Sequence, residues 1–198
     1  MQERSDTFLT THFPKLVCID QSDGIRLFGF ECGDGWFGLI YGVMLLIDRY
    51  ASEKSMDVHL RQVKEKFGLL RIYKSGGDEN IELMIDIAEL VSGTLCEICG
   101  DPGQAINTQG WVSTRCTKHC THDSSIGHIY KGPYHRYGPT YAGTVAAIIG
   151  LFGKIALRWI QEPVRGLGNQ KPLDLLGSVG GCREVLRLIN QLEHGVYV

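Results

Sequence analysis

Residues 141–195 read YAGTVAAIIGLFGKIALRWIQEPVRGLGNQKPLDLLGSVGGCREVLRLINQLEHG and continue into Val196-Tyr197-Val198. Residues 141–152 predict an apolar helix, and residues 154–161 predict a second one that Pro163 stops, because proline cannot continue a helical ladder. Gly166, Gly168 and Pro172 shape a loop. Pro172 then opens a short helical turn through Leu176, in keeping with proline's fit at the first helical position. A last helix starts near Ser178 and ends at Gly195, glycine being the usual residue just past a helix end. This part of the chain predicts a small all-α unit.

Upstream, residues 124–139 are rich in Gly, Pro, His and Tyr and show no periodicity, so they are read as a linker. The division is an α+β domain over residues 1–123, a linker over 124–139 and a helical domain over 140–198. Before the linker comes Cys96-Glu-Ile-Cys99-Gly100, then Cys116-Thr-Lys-His119-Cys120. A Cys-x2-Cys hook and a second short hook can together supply the four N/S donors of a tetrahedral zinc site. Cys96, Cys99 and Cys116 are the firm ligands. The fourth is His119 or Cys120, with His119 favoured and His122 the weaker candidate. Four protein donors would close the site, which makes the expected Zn2+ structural. The competing readings are reduced, buried cysteines, or a redox pair at Cys96 and Cys99; no thioredoxin-like pattern surrounds that pair.

Further upstream, residues 36–50 form a run whose apolar residues recur at helical spacing, with Asp34 as an expected N-cap. Val58 and Leu60 alternate with polar neighbours, and so less cleanly do Leu70 and Ile72, which predicts a hairpin with residues 64–66 between its strands. Residues 76–78 break the chain before a helical period over 81–91. Residues 14–31 read as short strand-like segments. Trp36, Phe67, Tyr73 and Trp111 are expected in the core.

A hydrophobic content of 43% is enough to bury a core, and a net charge of -2 gives no global reason to expect nucleic-acid binding. The charge divides as 14 Lys+Arg against 18 Asp+Glu up to Gly138, and 6 against 4 after it. The N-terminus lacks the pattern of a secretory signal, and residues 36–47 are too few for a membrane span. Seven cysteines, four of them within residues 96–120, point to metal rather than disulfides. A cytoplasmic location with no membrane association is expected.

Leu151-Phe152-Gly153, Ala156-Leu157-Arg158-Trp159, Pro163, Gly166-Leu167-Gly168, residues 171–176, Gly181, Val185 and residues 193–197 occur in an order and spacing similar to the C-terminal domain of Xre/MbcA/ParS-type antitoxins. The resemblance implies a compact helical domain that often dimerises and binds a RES-domain toxin, an enzyme that consumes NAD. It also implies that the terminal segment enters the toxin's cleft. Carried over, that assigns partner binding to Trp159, Glu193, His194, Gly195, Val196, Tyr197 and Val198. One departure is clear: these antitoxins usually carry a helix-turn-helix before this domain, whereas here an α/β region with a zinc knuckle stands there. That region resembles uncharacterised bacterial and phage-type proteins through Gly35-Trp36-Phe37, residues 62–68, Arg71-Ile72-Tyr73, the Cys96–Gly100 hook and Gly110-Trp111.

The expected function is therefore that of an antitoxin or immunity protein, not an enzyme. No nucleophile–base motif, phosphate loop or carboxylate pair stands out, and the histidines at 119, 122, 128 and 135 lie in or beside the linker. The alternative is a zinc-dependent nucleic-acid-binding regulator or phage-related interaction protein. A nucleic-acid role needs a basic face, which the acidic balance of the first part disfavours.

Overall fold

Helix α2 (Phe37–Glu53) buries Leu39, Ile40, Val43, Met44, Leu46 and Ile47, an apolar surface too wide for a helix packed on one side only. The computed structural model describes residues 1–17, 29–120 and 134–195. Both α3 (Glu79–Ser92) and α4 (Tyr134–Phe152) lie against α2. Asp34 is not its N-cap. The helix is capped at Trp36 without a side-chain bond, and the Asp34 carboxylate instead accepts from Gln2 N at 3.1 Å.

The sheet has the order β1 (Phe30–Glu31), β2 (Val58–Lys66), β3 (Leu69–Gly76), with β1 parallel and β3 antiparallel to β2. Val58, Leu60, Val63, Leu70 and Ile72 point into the core. The expected hairpin forms, but its turn is Phe67-Gly68 rather than residues 64–66, which belong to β2. The outer edge of β3 is covered by α3: Leu70 N donates to Ser92 Oγ at 2.8 Å and Ile72 N to Glu89 Oε1 at 3.0 Å. These side chains satisfy edge amides that would otherwise template another strand.

Asp78 caps α3, its carboxylate accepting from Asn80 N at 3.0 Å and Ile81 N at 3.2 Å, and from the Tyr50 hydroxyl at 2.8 Å. Burial works to raise its pKa, but the Tyr50 hydroxyl and the two amides outweigh it and hold the carboxyl below its ordinary value. A depressed folded-state pKa means that this contribution is present at neutral pH and is lost as pH falls through the lowered value. Asp78→Ala is expected to cost about 1 kcal/mol, read as a lower denaturant midpoint with an unchanged slope.

Helix α1 (Glu3–His12) has no counterpart in the sequence reading. It buries only Asp6 and Leu9, so tertiary contacts hold it. The Met1 ammonium donates to Phe30 O at 3.0 Å, and the Phe8 ring meets Phe37, Tyr41 and Tyr134 edge-on.

The expected linker is corrected at its end. Residues 134–139 are the start of α4, Pro139 included, while residues 124–133 lie outside the described residues. At the crossing of α2 and α4, a Cβ on Gly42 would come within 3.0 Å of Gly138 O, and one on Gly138 within 2.4 Å of the Tyr41 ring. Two bare backbones let the helices approach this closely. The stretch Tyr134–Trp159 is long and apolar enough to cross a bilayer by composition, yet α4 turns Tyr137, Tyr141, Val145 and Ile148 into the protein. The C-terminal helices α5 (Ala156–Trp159), α6 (Pro172–Leu175) and α7 (Val179–Glu193) follow. One apolar core runs without a break from Leu9 to Ile189.

Three of the four expected core aromatics are not in it. Trp36 is fully buried, but Phe67 is 71% exposed, Trp111 65% and Tyr73 43%.

Candidate functional site

The cysteine hooks are arranged by a hairpin. Gly100 N donates to Cys96 O at 2.8 Å, which closes the first hook, and Cys96 N donates to Asp101 O at 2.8 Å. Strands β4 (Gln104–Thr108) and β5 (Trp111–Arg115) then carry the chain to Cys116, where His119 N donates to Cys116 O at 3.0 Å. The sequence reading had only a loop between the hooks.

The side chains of Cys96, Cys99, Cys116 and His119 converge, with donor atoms all within 4.8 Å of one another. Cys99 Sγ lies 3.7 Å from Cys116 Sγ, and His119 Nδ1 lies 3.5 Å from Cys96 Sγ and 3.3 Å from Cys116 Sγ. A tetrahedral ion with ordinary zinc–ligand lengths needs edges of about 3.8 Å between sulfurs and about 3.6 Å between sulfur and nitrogen. The four residues therefore fit a tetrahedral cation. Cys120 lies outside the group: its thiol is exposed and donates to Thr117 O at 3.0 Å.

As bare thiols these groups oppose one another. Burial first, then the neighbouring Cys96 and Cys116, push Cys99 up to about 12. Cys116 is also penalised by burial, but the backbone amides of Lys118 and His119 and the adjacent thiols hold it below its ordinary value. A divalent cation would turn this conflict into coordination, because the ligands bind as thiolates and neutral imidazole.

The module has a built seat. Trp36 Nε1 donates to Leu95 O at 3.0 Å, Gly35 N to Glu97 O at 2.8 Å and Gly33 N to Glu97 Oε1 at 3.0 Å. The other Glu97 oxygen accepts from Arg115 Nη1 at 2.7 Å. A Cβ on Gly35 would sit 2.2 Å from Cys96 O, so only glycine allows the first hook to dock. The sequence reading took Asp34 as a helix N-cap and did not foresee this seat. The signal that would have found the seat is a pair of glycines flanking one residue beside a tryptophan, but nothing local says what approaches them.

The second candidate is the C-terminal helical segment. Ser178 caps α7 through Gly181 N at 3.0 Å, Leu173 N donates to Ile160 O at 2.9 Å, and the Tyr137 hydroxyl donates to Leu176 O at 2.9 Å. Cys182, Val185, Leu188 and Ile189 face inward. The opposite face of α7 carries Arg183, Arg187, Asn190 and His194 beside a shallow groove of about 370 Å³, and spacings of four, three and four residues place them in one row. Glu193, His194 and Gly195 are exposed at its end, with Gly195 at φ 69°. Val196, Tyr197 and Val198 lie outside the described residues. Trp159 is half-buried and stacks on Phe152 with ring centroids 4.3 Å apart. No hydrogen bond or ring contact joins it to residues 193–195 among the described residues.

Residues 151–195 match the family described as the antitoxin Xre/MbcA/ParS C-terminal toxin-binding domain. Two curated relatives, each named Antitoxin Xre, are similar to this chain. The protein from Yersinia enterocolitica is 32% identical over 94 residues, which cover 48% of this chain and 63% of the relative. The one from Photorhabdus laumondii is 39% identical over 41 residues, or 21% and 28%. The chain thus spans less than two thirds of the length of either relative. No solved structure matches it. The matched residues run from the end of α4 through α7, the segment in which the residue pattern carried the same resemblance.

Proposed function

From an Xre/MbcA/ParS-type toxin-binding domain over residues 151–195, we infer that this chain is an antitoxin or immunity protein that neutralises a protein toxin by direct contact. The observation that carries this reading is the coincidence of the family match with a folded helical segment whose last helix presents an exposed row and an exposed end. The protein acts by binding, not by catalysis. Its toxin is an NAD-consuming enzyme of the RES type, and residues 193–198 enter that enzyme's cleft. An acidic, hydrogen-bonding chain segment competes there for the basic groups that would hold an NAD phosphate. Arg183, Arg187 and His194 line the approach and meet acidic groups on the toxin. The ion held by Cys96, Cys99, Cys116 and His119 is Zn2+ in a structural role, fixing β4 and β5 against the Gly33–Gly35 seat.

Co-expression with a RES-domain toxin encoded beside this gene tests the reading. Growth is restored, cellular NAD is preserved and the two chains co-purify. Absence of both rescue and complex would overturn the inference and leave the helical domain with another partner.

A further inference from the structure

The turn between β2 and β3 breaks a local rule. Phe67 and Gly68 have φ of 55° and 77°, a two-residue loop in which both central positions are left-handed. Such loops favour Asn-Gly, Asp-Gly or Gly-Gly, and a bulky aromatic at positive φ is an outlier. Nor does Phe67 gain burial, being 71% exposed. Neither packing nor turn chemistry accounts for a phenylalanine here.

Two further exposed rings accompany it. Tyr73 stands on the outer face of β3, and Trp111 opens β5 after the Gln109-Gly110 turn. The two hairpins are joined where Gly68 seats on Ser113 and Thr114 Oγ1 donates to Gly68 O at 2.6 Å. Trp111 and Ser113 share a face of β5 by strand alternation. Lysines interleave the rings: Lys64 Nζ lies 5.3 Å from the Tyr73 ring centre and Lys66 Nζ 5.5 Å from that of Phe67. Neither lysine forms an ion pair among the described residues. The nearby acids are engaged within the protein. The Glu65 carboxylate accepts from Gly68 N at 2.6 Å, that of Glu31 from Gln62 at 3.2 Å, and Glu89 pairs with Arg71.

From the exposed rings of Phe67, Tyr73 and Trp111 and the lysines beside them on the two joined hairpins, we propose that these hairpins bind single-stranded nucleic acid. Unpaired bases stack on Phe67, Tyr73 and Trp111, and phosphates lie against Lys64 and Lys66. Stacking rings beside cations are the means by which single strands are held without regard to sequence, whereas protein interfaces are depleted in lysine. The assignment rests on the rings and the two lysines and not on net charge: Glu89 is neutralised by Arg71, while Glu65 and Glu31 bond neutral donors and keep their charge. This site lies apart from the toxin-binding helices and does not depend on their reading.

The test is fluorescence anisotropy of the full-length chain with a labelled oligothymidylate of about 20 nucleotides, with oligouridylate and a duplex as comparisons. Both single strands bind at about 50 mM salt and more tightly than the duplex, with affinity falling steeply toward about 200 mM. Phe67→Asn places the preferred residue in the turn, so it leaves the melting temperature unchanged or raised while weakening binding about tenfold. Trp111→Ala weakens it similarly. Lys64→Gln and Lys66→Gln each flatten the salt dependence by about 0.7 in log–log slope. Toxin neutralisation is unaffected in all four variants. Absence of binding at low salt, or binding that survives both ring substitutions, would overturn the proposal. So would loss of toxin capture in the ring variants without loss of oligonucleotide binding, which would make the face a protein interface.

Discussion

Deleting residues 193–198 is expected to leave the fold in place and, on the proposed function, to abolish toxin neutralisation. The last fully inward side chains of α7 are Leu188 and Ile189, while Leu192 is 39% exposed and residues 193–195 are exposed. The backbone bonds lost are those at the helix end, including His194 N to Asn190 O at 3.2 Å. Removing an exposed helix end costs about 1 kcal/mol or less, a fall in melting temperature of about 2–4 °C for a chain of this size. The functional loss is expected to be complete, because the proposed plug for the toxin's cleft is gone while the exposed row on α7 remains. Melting temperature and a toxin NAD-consumption assay on the same preparation separate the two effects. Full inhibition by the truncated protein would eliminate the plugging mechanism while leaving the domain assignment untouched.

Loss of an ion from the Cys96, Cys99, Cys116 and His119 cluster is expected to have the larger effect on stability. The four donors cluster at the base of the β4–β5 hairpin, which has few apolar residues of its own: Gln104–Thr108 is exposed or half-buried throughout. A module with so little core would depend on an ion bound there, since metal affinity becomes folding energy where no site exists in the unfolded chain. Cys96→Ser, or a strong chelator, is expected to remove one equivalent of zinc and lower stability by roughly 3–5 kcal/mol, or ~10 °C in melting temperature. Cys120→Ser retains both metal and stability, because its thiol faces Thr117 O instead of the cluster. Protons compete with the ion for the thiolates, so stripping becomes easier as pH falls. A purified protein without stoichiometric zinc whose melting is indifferent to chelation would contradict the assignment. The metal-free protein also loses the support that joins Thr114 to Gly68.

Local chemistry made the C-terminal helices readable: Pro172 opens α6, α7 starts just after Ser178, and Gly195 lies past its end, as the residue pattern indicated. The convergence of Cys96, Cys99 and Cys116 was readable because spacing sets which donors share a hook, whereas spacing left His119 and Cys120 both open and the fold brings only His119 to the cluster. Long-range contacts were not readable. Gly138 and Pro139 look like breakers, yet they lie in α4, since the close crossing at Gly42 rewards a bare backbone there. Tertiary packing overrides local propensity in such places. Helix α1 was missed for the same reason, its amphipathic signal being weaker than the contacts made by Met1 and Phe8. The exposed rings of Phe67 and Trp111 were misread because residue type predicts burial only on average. Phe67 stands at a two-residue turn and is 71% exposed, a placement its residue type does not signal.

The most direct test of the central claim is amide hydrogen exchange on the full chain with and without a bound RES-domain toxin. Neutralisation through the C-terminal domain predicts protection within residues 151–195, greatest on α7 from Arg183 to its end, with the hairpins unchanged. Protection confined to the metal module or the β2–β3 hairpin, or none at all on α7, would contradict it.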